Sequence, residues 1–319
     1  MKKNVLATLF VFIIISLVLT DDVFAGAWTV PKHKVWLEYY TKIGNARKYF
    51  NSNGNLTSTP SSGANSFRDQ VLTMEPKIEF GVTDWLTALA SVESKAAQYK
   101  EYQRPEKDPY GNIILPEGYT VKNHDIVNVK VGGRWRIMDA PFVLSTQTKV
   151  FIYTGYGINH GDKEEVGFKT YLEDRRNLPC IGYGNDSLEQ RILIGKTFSL
   201  PMTEKFKLPC YAGAEFGYRW NNRGVRNGIP WFLEGGFWPF SWLLLKSELD
   251  AYGCQGGPGK VEGSYGIWRA GAVWQVFGGD SVLRQGNKLF NLEFDYGITA
   301  WGKNTTAYRE YVMKVQTQF

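Results

Sequence analysis

Tyr311-Val312-Met313-Lys314-Val315-Gln316-Thr317-Gln318-Phe319 closes the chain with two interleaved rows of side chains. Tyr311, Met313, Val315 and Phe319 make a mostly apolar row, and Lys314, Gln316 and Gln318 a polar one. A period of two belongs to a β-strand whose two faces meet different surroundings. The design recurs upstream, where Phe290, Leu292, Phe294, Tyr296 and Ile298 alternate with Asn291, Glu293 and Asp295. Leu243, Leu245 and Leu249 likewise alternate with Lys246, Glu248 and Asp250. A soluble sandwich alternates too, with its apolar row on a core, so the pattern alone leaves the surroundings open.

Reading outward from this segment, alternation and turn residues mark twelve strands: 34–44, 70–82, 85–99, 124–137, 141–154, 186–200, 206–220, 229–239, 242–252, 264–277, 288–301 and 306–319. Their connections alternate in length. Long ones (45–69, 100–123, 155–185, 221–228 and 253–263) follow odd-numbered strands, and short ones (83–84, 138–140, 201–205 and 240–241) follow even-numbered strands. Two connections break the rhythm, 278–287 being long and 302–305 short.

The start of the chain supplies the compartment. Lys2 and Lys3 precede an apolar run from Val5 to about Thr20, and Val23-Phe24-Ala25 places small side chains at the −3 and −1 positions. This is the pattern of a secretory signal cut after Ala25, and the run is shorter than the roughly 20 residues that span a bilayer as a helix. The reading is therefore a cleaved signal at 1–25 and one domain at 26–319. An exported chain with short turns on one side, long loops on the other and a terminal aromatic strand resembles an outer-membrane barrel with its assembly signal at Phe319. The expected fold is an all-β, transmembrane antiparallel barrel of about 12 strands, with short periplasmic turns and long extracellular loops.

The chain carries 11 Trp and a net charge of +6, with charges of both signs spread along alternating positions. Nucleic-acid binding asks for a clustered basic face, so no such partner is expected. Three cysteines occur, Cys180, Cys210 and Cys254, with no C-x-x-C pair. Cys180 and Cys254 fall in long loops on one rim and are the expected disulfide, leaving Cys210 a free thiol.

If the polar row faces a lumen, parity lists the lining charges: Lys130, Arg134, Arg136 and Lys149 on strands four and five, then Glu234, Lys246, Glu248, Asp250, Glu293 and Asp295 on strands eight, nine and eleven. In a twelve-strand ring these groups lie roughly opposite, which predicts a basic wall facing an acidic one. Two consequences are open: a transverse field that filters polar or zwitterionic solutes, or charges, with Glu75, Lys77 and Glu79 among them, that pair and plug the lumen.

Other matches carry less. Gly195-Lys196-Thr197 ends like a phosphate loop, but Gln190 stands where glycine is required and the stretch reads as a strand. His124-Asp125 and His160-Gly161-Asp162 are the only histidine pairings to consider for hydrolysis, and no oxyanion-forming turn accompanies them. Glu106 and Asp108 read as a turn rather than a calcium loop. No metal or cofactor is called for.

Ala25-Gly26-Ala27-Trp28-Thr29-Val30-Pro31-Lys32 and Glu79-Phe80-Gly81-Val82-Thr83-Asp84-Trp85-Leu86-Thr87 resemble the outer-membrane transporters grouped with meta-pathway phenol-degradation proteins and the exported XagA-like barrels. His33 and Lys34 stand where those proteins usually carry glycines. The resemblance implies an outer-membrane barrel with a transport role and no catalytic residues. The expected function is a passive, solute-selective channel for small polar or aromatic molecules, monomeric, in contact with outer-membrane lipid and the assembly machinery. A lipid-modifying enzyme and a non-conducting anchor or scaffold are the alternatives.

Overall fold

The structure is a computed structural model that describes residues 27–58, 66–102, 106–107, 113–115, 118–154, 185–203, 207–222, 226–254, 263–277 and 289–319. The signal-peptide reading and the loop 155–184, with Cys180 and His160, lie outside the described residues.

Twelve antiparallel strands close into one barrel. They are β1 (Val35–Ala46), β2 (Ser66–Thr83), β3 (Leu86–Tyr102), β4 (Gly118–Met138), β5 (Val143–Tyr153) and β6 (Ser187–Pro201), followed by β7 (Lys207–Asn221), β8 (Gly228–Phe240), β9 (Leu243–Cys254), β10 (Ser264–Phe277), β11 (Leu289–Lys303) and β12 (Arg309–Gln318). Each strand pairs with its neighbours in sequence, and β12 returns to β1 from Trp36↔Gln318 to Asn45↔Arg309. Phe319 finishes the seam: its N–H donates to the Val35 carbonyl at 3.1 Å, and the Val35 N–H donates to the Phe319 carbonyl at 2.9 Å. Closure leaves no sheet edge, the condition for strands in lipid.

Side-chain parity follows the sequence. Outward positions stay exposed and apolar, as at Ile78, Phe80 and Val82 on β2, Ile192 and Ile194 on β6, and Tyr311 and Met313 on β12. Trp85, Phe240, Trp242 and Phe319 ring the end with the two-residue turns, and Trp220 and Trp301 stand near the other end. Such aromatic girdles mark the two water interfaces of a membrane barrel.

The structure differs from the expected strands on the long-loop side. β2 begins at Ser66 and β4 at Gly118, and the β3 ladder runs to Tyr102↔Gly118, inside stretches that the sequence assigns to loops. Above the membrane both faces meet water, so the ladder continues after the alternation that would reveal it has ended. Tyr49–Phe50 pairs with Leu56–Thr57 and with Thr305–Thr306 in a small sheet at this mouth, around a turn where the Asn51 side chain accepts the N–H groups of Asn53 and Asn55 at 3.0 and 2.9 Å. Beside it, the Tyr308 hydroxyl donates to Asp69 at 2.5 Å. Burial and that carboxylate hold the phenol well above its ordinary range.

Candidate functional site

Inward positions bury polar groups that only a partner makes tolerable. On β2 to β4, Lys130 bridges Glu75 at 2.8 Å and Glu93 at 2.9 Å, and the Ser91 hydroxyl donates to Glu75 at 2.6 Å. One layer toward the short turns, the Arg134 guanidinium holds Glu79 at 3.2 Å, Gln147 at 3.0 Å and the Trp28 carbonyl at 2.8 Å. Lys77 reaches the same Glu79 at 2.7 Å. On β6 and β7, Glu189 is clasped by Arg191 at 2.6 Å and Arg219 at 2.5 Å, while Arg191 also reaches Glu215 at 2.8 Å. The Arg219 guanidinium lies 4.3 Å from the centre of the Phe151 ring.

Strands β9 to β12 carry a second network. Lys246 contacts Glu248 at 2.9 Å and Glu293 at 2.5 Å, and Lys314 contacts Glu293 at 2.6 Å. Arg269 joins Glu248 at 2.8 Å to Glu310 at 3.1 Å and lies 3.6 Å from Asp250. Arg269 passes across β11 at Gly297, where a Cβ would stand 2.7 Å from its Cγ. The carboxylates of Glu248, Glu293 and Asp295 fall within 4.8 Å of one another, close enough to hold a cation. The Lys246 and Lys314 ammonium groups, at 3.9 and 4.0 Å from Asp295, already supply positive charge there.

Opposite charges are thus interleaved within each wall. The expected basic wall facing an acidic one is corrected: Lys130 and Arg134 find their carboxylates on β2 and β3, and Glu248 and Glu293 find their cations on β9, β10 and β12. Arg136 sits lower than expected, on the short-turn rim, paired with Asp139 at 3.0 Å. Glu234 accepts from the Tyr211 hydroxyl at 3.5 Å. Lys149 faces inward with Ser145 and Gln147, and among the described residues no carboxylate lies within ion-pair distance of it. Cys210 is a buried free thiol, and the Cys254 thiol donates to the Gly263 carbonyl at 2.8 Å. His33 caps the turn before β1 and His124 lies exposed on β4. Gly195-Lys196-Thr197 is part of β6.

The sequence reading missed one component. Residues 27–34 enter the barrel and run as a strap across the inner face, near the short-turn end. Ala27 and Trp28 pack with Val143 and Leu193, and the Ser145 hydroxyl donates to the Ala27 carbonyl. The Val30 N–H then donates to the Thr87 hydroxyl at 2.8 Å, and the Thr29 hydroxyl to the Asp84 carbonyl at 2.6 Å. Inward glycines make the room: a Cβ on Gly195 would stand 2.5 Å from the Trp28 ring, and one on Gly81 would stand 2.0 Å from the Pro31 carbonyl. At the same end, the facing wall is filled by Tyr211, Trp238, Leu244 and Val273. The two stretches that carry the family resemblance therefore touch: the strap is the first and its seat, Gly81 to Thr87, the second.

No family model matches the sequence, and no curated protein does. Among solved structures, an outer-membrane channel from Pseudomonas putida F1 matches over 93% of this chain and 100% of that chain, with a TM-score of 0.54 at 12% identity. The transport unit of an autotransporter from Escherichia coli matches over 94% and 93%, with a TM-score of 0.44 at 10% identity. The first of these, at 12% identity, is a likeness of fold. With the apolar outer rows, the girdles and the closed ladder, it makes this chain an outer-membrane β-barrel.

Proposed function

We propose that this chain is a passive outer-membrane channel for small polar solutes, narrowed at its short-turn end by the N-terminal strap. The observation that carries the reading is how the strap is held. Hydrogen bonds donated by the Arg134 and Ser145 side chains and accepted by the Thr87 hydroxyl, with packing against Leu193, fix it, whereas the wall behind is a continuous ladder. Residues 27–32 are attached to a complete barrel by hydrogen bonds that each use a side chain, and backbone pairing to Gly81 begins only at His33 and Lys34, so this segment is one that can leave while the barrel persists. The paired charges above it give the lumen a hydrated, polar lining without a strong net field, which suits small solutes carrying either sign.

The test is single-channel conductance in planar bilayers. The intact protein should pass little current, and deletion of residues 27–32 should open steps at least about tenfold larger in a barrel that still shifts its gel mobility on heating. A deletion variant that folds and stays silent would leave the scaffold reading, in which the paired charges themselves close the lumen.

A further inference from the structure

Lys149 is the exception in a lumen where cations are matched. Its register neighbours are Gly132 on β4, which offers no side chain, and Glu189 on β6. Both oxygens of Glu189 are already taken, one by Arg191 at 2.6 Å and the other by Arg219 at 2.5 Å. The nearby Glu215 is held by Arg191 at 2.8 Å. On the inner face of β5 to β7, Lys149, Arg191 and Arg219 meet two carboxylates, Glu189 and Glu215, and of these three cations Lys149 is the one without an ion pair among the described residues. Lys149 is part-exposed on the inner face. It also stands two inward positions above Ser145, where the strap begins. A solute arriving from the long-loop side meets Lys149 before it meets the strap.

An ammonium lined up with spent acceptors is stabilised by whatever anion fills the gap. We propose that Lys149 is an anion-holding subsite of the lumen, taking the carboxylate of a small monoanionic solute just above the strap. The surplus on this inner face is a single charge, and Glu189 on β6 and Glu215 on β7 would repel a second negative group. This deepens the channel reading by naming a solute class, and it rests on that reading only for the solute's onward passage.

The test is calorimetric titration of the folded, detergent-purified barrel with sodium benzoate and with benzamide, its neutral isostere. Benzoate should bind the wild type at least about tenfold more tightly than benzamide. Lys149→Gln should remove that preference and Lys149→Arg should restore most of it, with heat-modifiable mobility confirming each fold. Equal benzoate binding by wild type and Lys149→Gln, or a wild type that does not separate benzoate from benzamide, would overturn the proposal. A barrel that binds benzoate through Lys149 but passes no current after strap deletion would sink the channel reading and leave this subsite standing. Conduction without benzoate binding would do the reverse.

Discussion

The two walls of the lumen satisfy their buried groups in different ways. Along β9 to β12 the charges are self-sufficient: Lys246, Lys314 and Arg269 are enclosed by Glu248, Glu293 and Glu310, all nearly without exposure. Along β2 to β6 the charges also pair within the wall, but its short-turn end takes further partners from a separate piece of chain, since Arg134 donates to Trp28, Thr87 accepts from Val30, and Leu193 is covered by Ala27 and Trp28. A self-paired wall can change only by breaking the barrel's own electrostatics. The borrowed wall can exchange its partner for water, because each donor the strap leaves behind is small or charged and readily hydrated. On the proposed reading, rigidity and gating fall to opposite sides of one closed sheet.

The largest expected effect breaks the borrowed contact. Gly81→Val places side-chain atoms where the Pro31 carbonyl now stands, 2.0 Å from the ideal Cβ. The strap must lift, so conductance should rise by about an order of magnitude with the barrel still heat-modifiable. If the current is unchanged, the strap does not control the lumen. The converse change belongs to the self-paired wall: Arg269→Met leaves Glu248 and Glu310 buried with fewer cations, and breaking such a pair from one side costs about 3 kcal/mol. Its signature is a lower urea midpoint of unfolding with little change in conductance. Should Arg269→Met instead open the channel as Gly81→Val does, the division of labour between the walls is wrong.

The seam between the walls gives a smaller effect. Deleting Phe319 removes both hydrogen bonds to Val35 and the terminal aromatic ring, about 2 kcal/mol at roughly 1 kcal/mol per bond. Less folded barrel should reach the membrane, scored by heat-modifiable mobility, and an unchanged yield would strip Phe319 of its assembly role.

The twelve strands were legible because lipid on one side and water on the other force a period of two through the membrane band. The outward row of β11 (Phe294, Tyr296) and its inward row (Glu293, Asp295) can be told apart by eye. Legibility stopped where that contrast stops, at the extensions of β2, β3 and β4 beyond the band. The strap was hidden for another reason: Ala27 to Lys34 has no period and reads as a leader into β1, and its only trace is glycine at two inward positions, Gly81 and Gly195. Charge pairing was half visible. Parity assigned Lys130, Arg134 and Lys149 to the lumen alike, but the register decides that Lys130 meets Glu75 and Glu93 while Lys149 meets a glutamate already bound twice.

The smallest expected effect measures how firmly the borrowed wall is held. Thr29→Val keeps the shape of the side chain and removes one hydrogen bond, from the Thr29 hydroxyl to the Asp84 carbonyl at 2.6 Å. Thr29 is 5% exposed and makes this bond only while the strap is docked, and the Asp84 carbonyl keeps the Arg136 guanidinium as its other donor. The whole cost therefore falls on the docked state, and at about 1 kcal/mol it should raise the ratio of open to closed dwell times roughly fivefold. Unfolding in urea should not change, because β2 and β3 keep their ladder with or without the strap. Single-channel dwell times and the urea midpoint, recorded on the same preparation, separate the two quantities. A shift in the midpoint without a shift in dwell times would make the strap a part of the barrel's stability and not a removable partner of its wall.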